Sequence, residues 1–486
     1  MPKLEEILAI EDISQKIELL KNGRKTPLPK TKELLNDWNP NLHEIMTDKE
    51  KYSKIKLLVT PEETIFDENT GKSYTKDAVY REEEPNRICI PLEQDIVNIH
   101  TAFTIGTEPK IDCTPENDKE SSLLLALKQV LKKNKTKYLN RKIVRAWLSE
   151  TEVAEYWYII EDNSFWQKLK TKLAKVFGKI VSNKKLKCAI WSPFRGDTLY
   201  PFFDEYGQLV AFSRRFEKES EDGKTIECFI TITEKSVYEW ELIDEWKLTN
   251  FFNHGFSKLP VMYTHRKDAL CSNIKSLRVR IEKQMSEYAD CIDYHFFPIM
   301  KLFGDVFNIN NKDKRNRMVQ LTGQGADAQY LTWNQASEPV RFELENLVSL
   351  AYSQTNTPRI SFENLKGSGN ALSGTAFRYV FMGAHMAVEN HAEDIGEFFQ
   401  RRINFLTSAI GDIIPTLKES SQTIDVEVEL QPYMIDNIAD KVNTAMQAVN
   451  GHIWSRREGI IFAGNAERLE EELKEIEEES KEHSID

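Results

Sequence analysis

The strongest constraint on the fold lies between residues 359 and 414. A polar loop carrying Gly367 and Gly369 runs directly into a long amphipathic stretch. Phe377, Val380, Phe381, Ala384, Val388, Ile395, Phe399, Leu406, Ile410 and Ile413 recur with helical spacing. Such spacing lays one apolar stripe along a helix. At 1.5 Å per residue, roughly 40 residues span about 60 Å. One compact domain seldom needs so long a rod with a glycine-bearing loop at its tip. The pattern suits a scaffold that holds a loop at a fixed place. Gly374, Gly383 and Gly396, together with Gly411, are the candidate bend positions, since glycine weakens a helix locally.

The chain has 486 residues, enough for two to four domains. No apolar run approaches the roughly 20 residues that cross a bilayer. The start, Met1-Pro-Lys-Leu-Glu-Glu, lacks a basic stretch followed by an apolar core, so no signal peptide is expected. Six cysteines are scattered without CxxC spacing, which argues against a zinc site or a disulfide framework and for a reducing compartment. The expected setting is a cytoplasm, or a particle assembled in one. Net charge is −12. A chain that grips nucleic acid usually shows a basic face. An acidic total still allows DNA as a passing client, because repulsion lowers friction where tight binding would stall movement.

The first half reads as one α+β domain. Residues 1–55 are charged and helical in pattern, 56–120 hold short alternating runs, and 94–105 and 121–148 look helical. Aromatic and β-branched runs at 154–160, 209–213 and 228–233 read as strands, with turns at 204–207 and 221–223. From Asp268 the pattern changes. Leu270, Ile274, Leu277, Ile281, Met285, Tyr288 and Ile292 form a narrow helical seam, with Lys275, Arg278, Arg280, Glu282, Lys283 and Glu287 on the other faces. A turn-rich insert at 305–333 holds a basic cluster (Lys312, Lys314, Arg315, Arg317) and Gly323-Gln-Gly325. A second helix opens at Ser337-Glu-Pro339, where an early proline costs little, and closes before Pro358. Further on, 424–430 alternates like a strand, Ser455-Arg-Arg-Glu458 has capping-box spacing, and 465–480 is a strongly acidic helix.

Catalytic constellations are missing from the sequence. Asn69-Thr-Gly-Lys-Ser73 resembles the tail of a phosphate loop, but its leading glycine position is Phe66, so a hairpin turn is the better reading. His385, Glu389 and His391 do not share one helix face, so no metal site is expected. Glu389, Glu393 and Glu397 form an acidic ladder that suits a solvated face or a channel wall equally. In 163–180, Phe165, Trp166, Leu169, Leu173, Phe177 and Ile180 form an apolar edge flanked by lysines. Packing on the β region, a partner groove and a membrane surface all remain open for it. The 312–317 cluster suits a solvated loop, phosphates or an acidic protein surface.

In this order the parts resemble the portal proteins of tailed double-stranded DNA phages. Ser373-Gly-Thr-Ala-Phe-Arg-Tyr-Val-Phe-Met382 is similar to the family's Ser-Gly-x-Ala-Leu segment, with Phe377 where leucine is common. Asn86-Arg-Ile-Cys-Ile-Pro91 with Phe103-Thr-Ile-Gly-Thr-Glu-Pro109 resembles an early wing segment. The run 253–263 resembles the approach to the first stem helix, and Trp454-Ser-Arg-Arg-Glu458 with the acidic helix behind it resembles the crown end.

The resemblance implies a mainly helical α+β portal fold assembled as a ring, twelve-membered in the family's usual pattern. It implies a wing at 1–265, stem helices at 266–297 and 337–358, a clip at 298–336, and a tunnel loop at 359–373. A long wing helix at 374–418 and a short crown at 419–486 complete it. The ring is expected at one capsid vertex, the head–tail junction of the virion, after assembly in the bacterial cytoplasm. Expected partners are further copies, double-stranded DNA in transit, the terminase large subunit, the head–tail adaptor, and the major capsid and scaffolding proteins; no membrane, cofactor or enzymatic activity is implied. Ser361, Glu363, Asn364, Lys366, Ser368 and Asn370 are the expected DNA-facing loop residues, Lys283 lines the stem channel, and Lys312, Lys314, Arg315 and Arg317 dock partners at the clip. The competing classes are a metal-dependent nuclease, which needs clustered carboxylates, and a scaffold protein that forms no ring.

Overall fold

The computed structural model describes residues 3–24, 26–60, 62–67, 72–161, 184–220, 222–295, 299–309, 319–331, 337–359, 379–433, 438–464, 469 and 472–476. The chain packs as two units. One takes in Met1–Asn98, Arg145–Thr355 and Asp412–Pro415; the other takes in Ile99–Val144, Asn356–Gly411 and Thr416–Asp486. Residues 99–144 group with the C-terminal part.

The first unit opens with four short helices, α1 (Leu4–Leu8), α2 (Ile13–Lys21), α3 (Thr31–Trp38) and α4 (Glu44–Thr47). The Asp12 carboxylate starts α2 by accepting from the Ser14 and Gln15 amides at 2.9 and 3.3 Å. Two antiparallel pairs follow: β1 (Ile55–Thr60) with β4 (Val79–Glu83), and β2 (Glu63–Asp67) with β3 (Lys72–Lys76). Of the phosphate-loop remnant, Lys72 and Ser73 open β3 and residues 69–71 lie outside the described residues. Helix α5 (Leu92–Ile105) contributes its first half to this unit.

The core of the unit is built from two sheets. Strands β8 (Thr198–Phe203), β9 (Leu209–Glu219), β10 (Thr225–Thr233), β11 (Ser236–Leu242) and β12 (Trp246–Asn253) form a five-stranded antiparallel meander. Strand β13 (Val261–His265) pairs with β6 (Glu152–Glu161), which pairs with β7 (Lys184–Trp191). The predicted turn at 204–207 is made by the Asp204 carboxylate, which accepts from the Tyr206 and Gln208 amides. Alternation gives the meander two apolar faces. Leu199, Phe212, Ile232 and Val237 pack against Ala154, Trp191, Val261 and Tyr263 of the smaller sheet. On the opposite face, Phe202, Ala211, Phe229 and Trp240 pack against Ile7, Ile17 and Leu20 of α1 and α2. Fully burying side chains of this size stabilises by about 1.5–3 kcal/mol each.

The end of α2 sits so close to β8 that only glycine fits. A Cβ on Gly23 would lie 2.9 Å from both the Phe202 Cα and the Pro201 carbonyl oxygen. These are backbone atoms and cannot step aside as a side chain tip does. Gly23→Ala is therefore expected to loosen the α1–α2 arm and to lower the melting temperature. Limited proteolysis ahead of residue 30, several-fold faster than in wild type, is the readout; an unchanged cleavage rate contradicts this packing.

The unit ends in two helices that bracket a ribbon. Helix α8 (Lys275–His295) is followed by β14 (Ile299–Ile309) and β15 (Val319–Leu331), and then by α9 (Ser337–Gln354). The region expected to be a turn-rich insert is thus a long antiparallel pair. Its register slips between Phe303, opposite Asp327, and Asp305, opposite Thr322. The surplus residues on β15 include Gly325, whose φ of +96° suits a bulge. Gly323-Gln-Gly325, expected within a turn-rich insert, is a bulge within a strand.

The second unit holds the end of α5, then α6 (Asp118–Lys133) and the first part of α7 (Thr136–Glu150). The single helical region expected at 121–148 is split, because Lys135 adopts a left-handed φ of +53° between them. Strand β5 (Lys110–Asp112) pairs with β16 (Glu427–Glu429), the centre of the run expected at 424–430. The long helix is present from Tyr379 but is not continuous. A turn at Phe381 precedes α10 (Met382–His391), and a π turn over Ala392–Gly396 leads into α11 (Glu397–Ile413). The predicted stripe is buried at Phe381, Ala384, Val388, Ile395, Phe399, Leu406 and Ile410, whereas Val380 is exposed. Helices α12 (Ser420–Thr423), α13 (Ile438–Asn450) and α14 (Arg456–Ala463) complete the unit. The Ser455 hydroxyl caps α14 by accepting from the Glu458 amide at 3.2 Å, as the capping-box spacing predicts.

Candidate functional site

The elements that carry the expected stem begin with α8, whose seam is more polar than its sequence suggests. Ile274 and Ile281 are buried as expected. Arg278 and Glu282, assigned to the outer faces, are buried too, at 2 % and 1 % exposure. The Arg278 guanidinium meets Glu93 at 2.6 Å, Asp37 at 2.9 Å and Glu282 at 3.6 Å. Glu282 in turn lies 2.6 Å from His43 Nδ1, and the other ring nitrogen of His43 faces the Asp37 carbonyl oxygen at 3.1 Å. Buried charges survive only when partnered in this way. Burial pushes the Glu93 carboxyl up to about 7, against the opposing pull of Arg278.

A second feature of α8 was invisible in the sequence. The extended segment 86–90 runs along the helix, and its alternate amides meet side chains one helical turn apart. Asn86 N–H donates to Asp290 at 2.8 Å, Ile88 N–H to the Ser286 hydroxyl at 2.9 Å, and Ile90 N–H to Glu282 at 3.0 Å. The repeats match: four helical residues rise about 6 Å, and two extended residues advance about 6.6 Å. The Asn86 side chain adds bonds to Asp290 and Asp293 at 3.0 and 2.7 Å. These bonds hold the orientation of α8 along most of its length.

Helix α9 is tied to α8 by a fork. Both Nε and Nη2 of Arg280 donate to Glu343, at 2.9 and 2.8 Å, and Gln284 donates to the other Glu343 oxygen at 2.6 Å. These donors hold the Glu343 carboxyl below its ordinary range, with Arg280 the larger cause. Lys283, the expected stem cation, is partly exposed and lies 3.6 Å from Glu287 on its own helix. Phe342 and Leu350 of α9 and Ile292 of α8 are left exposed.

The remaining expected residues divide in two. Ser361, Glu363, Asn364, Lys366, Ser368 and Asn370 of the loop, Gly374, and Lys312, Lys314, Arg315 and Arg317 lie outside the described residues, as does the basic segment 163–180. Gly383 and Gly396 are described. A Cβ at either would meet only ordinary contacts, the nearest at 3.7 and 4.0 Å, so packing does not demand glycine there. Gly396 closes the π turn. Of the three residues weighed as metal ligands, His391 is buried beside Thr104 at 3.2 Å and His100, His385 faces the Tyr433 carbonyl, and Glu389 is exposed. No group of three or more His, Cys, Asp or Glu placed to hold a metal occurs among the described residues. Likewise no described helix is long and apolar enough to cross a membrane.

Comparison with known families decides the identity. The family described as phage portal protein, SPP1 Gp6-like, matches residues 31–486. The chain belongs to this family of phage portal proteins. No curated protein matches it. As a portal protein it is a structural component of head–tail connection and DNA packaging. The match leaves out residues 1–30, so α1 and α2, which cover one face of the portal's meander, lie beyond the family pattern.

Proposed function

We propose that copies of this portal chain close into a ring whose central channel passes DNA in packaging and ejection, and that its rim docks the terminase and the head–tail adaptor. The family match supports the assembly as a class. The observation that carries the reading is the apolar surface a single copy leaves in water. Phe342 is 69 % exposed on α9, and Met386 is 61 % exposed on α10 beside exposed Tyr379 and Met382. Large side chains grouped on helices in this way call for a protein neighbour. In a ring, adjacent copies supply it at every position.

On this reading α8 and α9 are the stem helices and the β14–β15 ribbon belongs to the clip, with 312–317 at its tip meeting protein partners. Residues 359–373 meet the duplex. DNA carries one negative charge per roughly 1.7 Å. A net charge of −12 per copy repels it broadly, while Lys366 and polar neighbours make weak, salt-sensitive contacts. Gly383 and the π turn ending at Gly396 let the helix behind that loop bend. The ring sits at the capsid vertex, with capsid and scaffolding proteins around it.

Mass measurement in solution is the direct test. A ring with the family's usual number of subunits weighs near twelve times 56.5 kDa and shows a central hole by electron microscopy. A chain that stays single-copy under all assembly conditions, or a closed particle, overturns the reading.

A further inference from the structure

The second unit contains a cationic pocket that neither the stem nor the clip uses. It encloses about 610 Å³ between α6, α7 and α11. Lys128, Lys132, Lys135 and Lys137 stand around it, with Glu108 the acidic residue in its lining. None of the four lysines is ion-paired among the described residues, and all four are exposed. Arg402 lies on the inner wall, 3 % exposed, its Nη1 donating to Asn140 at 2.6 Å and its guanidinium 4.8 Å from the Phe399 ring centre. Lys135 reaches the rim from a left-handed backbone position that suits glycine better. Between 128 and 142 there are seven basic side chains and no acidic one.

The matching charge is in the same chain. Residues 465–486 hold ten carboxylate side chains against three basic ones, a net −7 of the chain's −12. Leu469 is already buried, and residues 472–476 line none of the pocket. We propose that the lysine pocket of one copy receives the acidic C-terminal segment, 477–486, of a neighbouring copy. The proposal rests on the ring reading, since a ring presents each pocket to the next copy in a head-to-tail series. Lysine suits this role: its ammonium is a flexible point charge that accepts carboxylates in many geometries. The contact is electrostatic and is screened as salt rises, because the Debye length at 0.1 M is about 10 Å.

The test uses the full chain, with assembly followed by mass in solution from low to high salt. Two variants reverse the charges, one carrying Lys132→Glu and Lys137→Glu, the other Glu477→Lys, Glu478→Lys and Glu479→Lys. Each alone is expected to weaken low-salt assembly about tenfold or more. Mixing the two restores it, because alternating copies then present opposite charges at every contact. Lys135→Gly is expected to weaken assembly while leaving the melting temperature unchanged or higher, which separates the pocket's charge from its fold. Several outcomes overturn the proposal. One is a chain ending at Ile476 that assembles with unchanged salt dependence. Another is rescue only when both reversals sit in one chain, which places the tail in its own pocket. Loss of duplex DNA binding by the pocket variant, with assembly intact, assigns the lysines to phosphates instead. A wild-type chain that never assembles removes this contact and the ring together; a wild-type ring with unaffected variants removes this contact alone.

Discussion

Arg278→Ala is expected to destabilise the first unit by about 3–5 kcal/mol, because it removes the ionic partner of a buried carboxylate. Glu93 is 5 % exposed and its ionic partner is Arg278 at 2.6 Å. Glu282 retains His43 and the Ile90 amide, so the loss falls mainly on Glu93. Arg278→Lys keeps the charge but not the fork that meets three carboxylates at once, and should fall between the two. Urea unfolding measures both; a loss below about 1 kcal/mol for the alanine variant means that the cluster is solvated. The same cluster has a pH signature. Glu93 holds its proton up to about 7 when folded, above its ordinary 4.5. Folding therefore takes up a proton in that window. The stability this group lends is full below about pH 4.5 and is lost as pH rises through about 7. Glu93→Gln should gain on wild type from about pH 5 to about pH 7 and hold that margin at higher pH. A stability difference between the two that does not vary with pH contradicts the assignment.

The second large effect is expected at Phe229→Ala, about 3–5 kcal/mol. Phe229 is fully buried on β10, with the Tyr200, Trp240 and Trp246 rings 5.8–6.2 Å away. Those neighbours belong to a cluster that also includes Ile7, Ile17 and Leu20. The cavity should release the α1–α2 arm as well as weaken the sheet. Two signals are expected together: a lower unfolding midpoint, and protease cleavage before residue 30 under conditions where wild type resists. A lower midpoint with an arm that stays protected means that the arm is held by other contacts.

Much of the architecture was legible because it rests on apolar periodicity. The stripe from Phe381 to Ile410, the strands at 209–213 and 228–233, and the two helices around the ribbon all announce themselves this way. What escaped was charge in the wrong place. Arg278, Glu282, His391 and Arg402 occupy inward positions that an apolar pattern assigns to the solvent side. Their burial depends on partners distant in the chain: Glu93, His43, Thr104 and Asn140. The ribbon escaped for a different reason. Its strands carry many polar and glycine positions, Gly323-Gln-Gly325 among them, and a bulge of that kind reads as a turn until its pairing is known. The amide track along α8 has no signature at all in one sequence, because it joins residues about two hundred positions apart. Of the candidate site, the loop and the basic cluster were legible as glycine-bearing and lysine- and arginine-rich runs, and both lie outside the described residues.

The arm formed by α1 and α2 has a practical outcome for anyone preparing this protein. The family pattern begins at residue 31, and an expression boundary drawn there would discard Ile7, Ile17 and Leu20. Phe202, Phe229 and Trp240 would then face solvent as one sticky aromatic slab. Such a shortened product is expected in inclusion bodies, and its failure would say nothing about whether the intact protein assembles.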